Sequence, residues 1–110
     1  MAYDAELVDR IRELLASECG VDEKSMFGGL AFLIGGHIAI AASGQGGIMV
    51  RVSPEDTEKL LKRDHVSPME MAGREARGWL RVHTEGVRTK RQLGGWVTRG
   101  AECAKSLKPK

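Results

Sequence analysis

Aromatic residues are scarce in this chain: two Phe, two Trp and one Tyr make up 5% of its 110 residues. A core without aromatic bulk has to be built from Leu, Ile, Val, Ala and Met, and an apolar content of 42% supplies them. Long apolar runs are absent as well; none approaches the ~20 residues a membrane-spanning helix needs. The opening MAYDAELVDR is acidic and amphipathic, with neither the basic start nor the apolar centre of a signal peptide. These absences read as a cytoplasmic protein that does not enter a membrane. Cysteine is limited to Cys19 and Cys103, neither in a Cys-x-x-Cys pair. They read as reduced structural thiols, the alternative being a redox pair that joins the first and last helices.

An excess of one charge is also missing. The net charge is only +2, which gives little support to a protein built around a polyanion. The distribution says more. Residues 1–23 hold seven acids against Arg10 and Arg12, and residues 88–110 hold seven bases against Glu102. Such polarity steers a partner or a second copy into register, or marks two wet helix faces that complement each other.

What is present organises a single domain, long enough to bury one self-standing core. Leu7, Ile11, Leu14 and Leu15 recur at i, i+4, i+7 and i+8, which predicts a helix over residues 4–17 with Asp4 as N-cap and Cys19-Gly20 as its stop. The stretch KSMFGGLAFLIGGHIAIA follows. Its apolar runs, on either side of Gly35-Gly36, have the length of strands, and the glycine pair suits a tight hairpin turn. The unbroken apolarity of residues 30–34 predicts burial of both faces, or of one face against a helix and the other against a partner molecule. IMVRV, residues 48–52, is a third strand. Ser53-Pro54-Glu55-Asp56 reads as a helix start, the helix running to about Lys62 or Arg63. VSPMEM is an edge strand because of Pro68, GREARG a turn, and WLRVH a strand with Leu80 and Val82 on one face and Trp79, Arg81 and His83 on the other. Thr89-x-x-Gln92 forms a capping box ahead of the clearest helical stripe, Leu93, Trp96, Val97, Gly100, Ala101, Ala104 and Leu107. Gly100 lies in that stripe, where close packing explains it; Gly94 and Gly95 have no such explanation. The order α-β-β-β-α-β-β-α predicts an α+β fold, an antiparallel sheet with helices on one face.

Chemistry-bearing motifs are few. The glycines of FGGLAFLIGG lead into strands, not into a helix N-terminus, so they do not make a phosphate loop. His37, His65 and His83 stand singly, without metal-ligand spacing, and read as surface histidines unless the fold gathers them with Glu70 or Glu85. No nucleophile elbow is present, so no enzymatic role, metal or cofactor is expected. Arg74, Arg77 and Arg81 around Trp79 form a basic-aromatic cluster. It suits nucleic-acid phosphates and a stacked base, or is a set of arginine stems covering an indole.

The combination of KSMFGGLAFLIGGHIAIA, GIMVRV and GREARGWLRV, with the acidic start, resembles the N-terminal domain of the TfoX/Sxy family. Founding members of that family are bacterial regulators of natural-competence genes. The resemblance implies a two-layer α+β fold, related in topology to secretion chaperones, and brings no catalytic residues with it. Full-length family regulators add a C-terminal helical domain and are thought to act alongside a DNA-bound activator. Its absence here points to a stand-alone regulatory or protein-interaction module. The expectation is therefore a homodimer or a regulatory protein partner held through Phe27, Leu30, Phe32 and Trp79; the alternatives are direct nucleic-acid contact through Arg74, Arg77 and Arg81, or a small-molecule or metal-binding domain using one of His37, His65 and His83.

Overall fold

The computed structural model describes residues 5–26, 29–44, 46–71 and 74–107, and the side chains among them except those of residues 26, 69–71 and 74–77. The order of elements is α1 (Ala5–Leu14), β1 (Val21–Met26), β2 (Gly29–Ile34), β3 (His37–Ala42), β4 (Ile48–Arg51), α2 (Thr57–Leu61), β5 (Val66–Met71), β6 (Arg74–Val82), a 3-10 turn at Thr84–Gly86, and α3 (Lys90–Lys105). The strands form one antiparallel sheet in the order β1-β2-β3-β4-β6-β5. This is the α+β class expected, with the expected alternation of helices and strand runs.

The register explains the layering. One row of paired residues runs Ser25, Leu30, Ala42, Ile48, Val82 and Val66 across all six strands. A second runs Glu23, Phe32, Ile40, Val50, Leu80 and Pro68. Apolar side chains of both rows join Leu7, Val8, Ile11 and Leu15 of the α1 region and Leu93, Trp96, Val97, Ala101 and Ala104 of α3 in the main core. Side chains such as Phe32, Ile40 and Leu80, with no exposed surface, each contribute roughly 1.5–3 kcal/mol by burial. Between these rows lies a third, Lys24, Ala31, Ala41, Met49, Arg81 and Ser67, which points to the opposite face because side chains alternate along a strand.

The Gly35-Gly36 turn is as expected: both residues take positive φ, 62° and 85°, the backbone of a two-residue hairpin turn that matches the strand twist. The capping box is complete, with the Gln92 amide donating to Thr89 Oγ1 at 3.0 Å and the Thr89 amide to Gln92 Oε1 at 3.1 Å.

Four expectations need correction. VDEKSM was not read as a strand, yet it pairs along the whole of β2. It has the composition of a guarded sheet edge, where charges discourage pairing with another chain. The first helix ends at Leu14, three residues early, although Leu15 still packs into the core from the turn. Ser53 does not cap α2: its carbonyl accepts from the Asp56 amide at 2.9 Å and from Thr57 Oγ1 at 3.2 Å, making a turn that delays the helix to Thr57. GREARG is strand from Arg74 onward, not a turn. Gly78, at φ 86°, bends β6 without ending it, and its carbonyl still accepts from the Val52 amide at 2.8 Å.

Candidate functional site

Opposite the helices, Ala31, Leu33, Ala41 and Met49 form a second apolar cluster, with Ile38 and Trp79 packed against it. Among the described residues no helical residue belongs to it. Leu33 and Met49 are nearly covered, whereas Ile38 and Trp79 keep part of their surface. Lys24 and Arg81 flank the row Ala31-Ala41-Met49 on either side. Asp22, paired with Leu33, joins the β1 rim of the same face. Arg51 lies over the Trp79 ring, 5.3 Å from its centroid.

This arrangement redistributes the residues expected to contact a partner. Phe32, fully buried, and Leu30 are helix-side core residues, so they form no surface; their strand buries both faces, and even-numbered positions face the helices. Phe27 lies outside the described residues. Trp79 and Arg81 are on the face away from the helices, as alternation required. Arg74 and Arg77 lie on β6, their side chains outside the description.

Two clefts run along one face of α3 and share Arg99. The first, about 420 Å³, lies between the C-terminal half of α3 and the β4–α2 connection, with Arg51, Asp56, Trp79, Arg99, Glu102 and Cys103 in its walls. The second, about 480 Å³, lies between the N-terminal half of α3 and the α2–β5 turn, with Arg63, Asp64, His65, Arg91, Gly95, Trp96 and Arg99 around it. Arg63 and Arg99 both lie over the Trp96 ring, at 5.4 and 5.5 Å from its centroid.

The histidines do not converge. His65 and His83 are neighbours, the His83 amide donating to the His65 carbonyl at 2.8 Å, and His83 Nε2 lies 2.8 Å from Ser67 Oγ. His37 opens β3, whereas the register sets Ala42, the far end of β3, level with Val82 beside His83. Five strand residues, about 17 Å, separate those levels. Among the described residues no three His, Cys, Asp or Glu side chains form a metal-sized group. Cys19 and Cys103 are both free. Lys105 Nζ bonds Glu18 at 3.0 Å, so the two cysteine-bearing segments do meet. Cys103, two residues before Lys105, sits ~200° away around the helix, in the wall of the first cleft.

The family model of the TfoX N-terminal domain matches residues 13–104. The chain belongs to that family. No curated protein and no solved structure gives a significant match. Among the described residues of this TfoX N-terminal domain, no helix is long and apolar enough to cross a membrane.

The acidic start and basic end of the domain are partly paired within it. Besides Lys105–Glu18, Arg12 holds Glu23 through Nη2 and Oε1 at 2.7 Å and through Nε and Oε2 at 2.9 Å, tying α1 to β1. Hydrogen bonds from Arg12 pull the Glu23 carboxyl below its usual range; they outweigh desolvation, which acts the other way, and the Arg12 charge adds a lesser pull in the same direction. The same pairing raises Arg12. Sequence reasoning missed Arg63, Trp96 and Arg99 as a group because they come from two separate parts of the chain, the α2–β5 turn and α3. The one local signal was Gly95, a helix glycine with no packing to explain it.

Proposed function

We propose that this TfoX N-terminal domain is a cytoplasmic regulatory adaptor that acts by protein contact through the sheet face away from the helices. The observation that supports this reading is the pair Ile38 and Trp79, partly exposed apolar side chains packed on a second, buried apolar cluster to which no helix among the described residues contributes. Both sheet edges discourage pairing, β1 through Asp22, Glu23 and Lys24 and β5 through Pro68. A partner therefore docks on the face and not at an edge.

A second copy of the chain is the partner to test first. A two-fold arrangement that lays β1 of one copy over β6 of the other brings the acidic β1 rim towards the β6 side and the exposed parts of Ile38 and Trp79 into the contact. A stable pair buries roughly 1,200–2,000 Å² in total. Sedimentation velocity over a hundredfold range of concentration is the test. A dimer that Ile38→Asp converts to monomer, with the circular-dichroism spectrum unchanged, supports the reading. A monomer at every concentration removes the homodimer. If immobilised domain then also retains no bacterial protein in an Ile38-dependent way, the adaptor reading goes with it.

A further inference from the structure

The second cleft along α3 has a charge arrangement that the fold itself does not need. Its walls carry three arginines, Arg63, Arg91 and Arg99, against a single acid, Asp64. Among the described residues no ion pair holds any of the three: Arg63 and Arg99 rest on the Trp96 ring, and no partner holds Arg91. The first turn of α3 contains Lys90 and Arg91 and no acid. That is the reverse of what a helix dipole favours, since its N-terminus already carries positive potential. All three arginines are exposed, so solvent screens much of their repulsion, and an anion in the cleft offsets what remains.

Shape supports the same reading. Arg91, Gly95 and Arg99 are spaced by four and share one face of α3. A Cβ built at Gly95 meets nothing within 4 Å, so the glycine is not there to admit a neighbouring element. It leaves the floor between two arginines open. The Trp96 ring and two of the guanidinium groups beside it are held in place: Trp96 is only 6% exposed, and Arg63 and Arg99 are stacked on it.

We infer that this cleft binds a compact phosphate-bearing ligand, its phosphate dianion held by Arg63, Arg91 and Arg99 above Gly95. Three positive groups against one negative leave an excess of two, which matches a phosphomonoester and not the single charge of a phosphodiester. The neighbouring cleft argues against a long polyanion: there Arg51 and Arg99 are balanced by Asp56 and Glu102, so the basic surface does not continue along α3. The volume of about 480 Å³ is in the range of small-molecule sites. This site stands apart from the adaptor face and does not depend on that reading.

The test uses the whole chain with Trp79→Phe, which leaves Trp96 as the one indole. Its emission is followed during titration with inorganic phosphate, with adenosine monophosphate, and with a short oligonucleotide lacking terminal phosphate. Saturable binding of phosphate and of the monophosphate is expected. Removing one arginine, by Arg63→Gln or Arg99→Gln, weakens it about tenfold or more, the scale of a lost charge-assisted hydrogen bond. Gly95→Glu, a change that suits a helix and keeps the fold, abolishes it. Three results overturn the proposal: no saturable response to either small phosphate, a response that Gly95→Glu leaves unchanged, or binding of the oligonucleotide alone.

Discussion

Adding one methyl group to α3 has opposite effects at two glycines five residues apart. At Gly95 the new Cβ meets nothing within 4 Å. The backbone is helical, so Gly95→Ala collects the whole difference in helix propensity, about 1 kcal/mol. At Gly100 the same methyl stands 3.0 Å from the Ala39 carbonyl carbon and 3.1 Å from Val50 Cγ2, with the Ala39 oxygen closer still. The obstacle is β3 backbone, which cannot turn aside as a side chain does. Helix α3 must then lift from the sheet, loosening Trp96, Val97, Ala101 and Ala104, all of them in the main core. Overpacking of this kind costs roughly 1–3 kcal/mol or more, which exceeds the propensity gain. Urea unfolding followed by far-UV circular dichroism, compared at equal m-value, measures both. Gly95→Ala is expected to raise the urea midpoint, and Gly100→Ala to lower it. Shifts of the same sign would refute the reasoning, because propensity alone would then govern both sites.

Two further outcomes follow from the packing and the ion pairs. Phe32→Ala removes a side chain with no exposed surface from the centre of the helix-side core and is expected to cost ~3–5 kcal/mol; a near-native urea midpoint would return Phe32 to the list of surface candidates. Glu23→Gln removes the charge from the two-bonded pair with Arg12, an exposed pair whose contribution is small and screened by salt. Because the folded Glu23 is lowered, its contribution is present above the unfolded carboxylate value, about 4.3, and fades as pH falls through the folded one. The stability gap between wild type and Glu23→Gln should therefore close on acidification, and a gap that widens would mean the pairing has been misread.

Much of the fold was legible because it is written in local signals. The i, i+3, i+4 stripe of α3, the Thr89-Gln92 capping box and the Gly35-Gly36 turn each depend on residues a few positions apart. The alternation of Trp79, Leu80, Arg81 and Val82 is equally local, and all four are found on the faces expected. Strand β1 was not legible. VDEKSM has no apolar pattern of its own, and only the β2 backbone beside it makes it a strand. The start of α2 failed for a related reason, since Ser53 and Pro54 favour a helix start and a turn alike.

The candidate sites divide along the same line. Sequence by itself determined the class of the fold, the family, and the side of the sheet on which Trp79 and Arg81 lie, because periodicity and short motifs are properties of neighbours in the chain. Tertiary structure alone decided that Leu30 and Phe32 are core and not surface. It also decided that His37 stands at the other end of the sheet from His83, and that Arg63, Arg91 and Arg99 surround one cleft. Those are relations between residues tens of positions apart, fixed by the register of six strands and the seating of α3 upon them. No pattern along the chain encodes them.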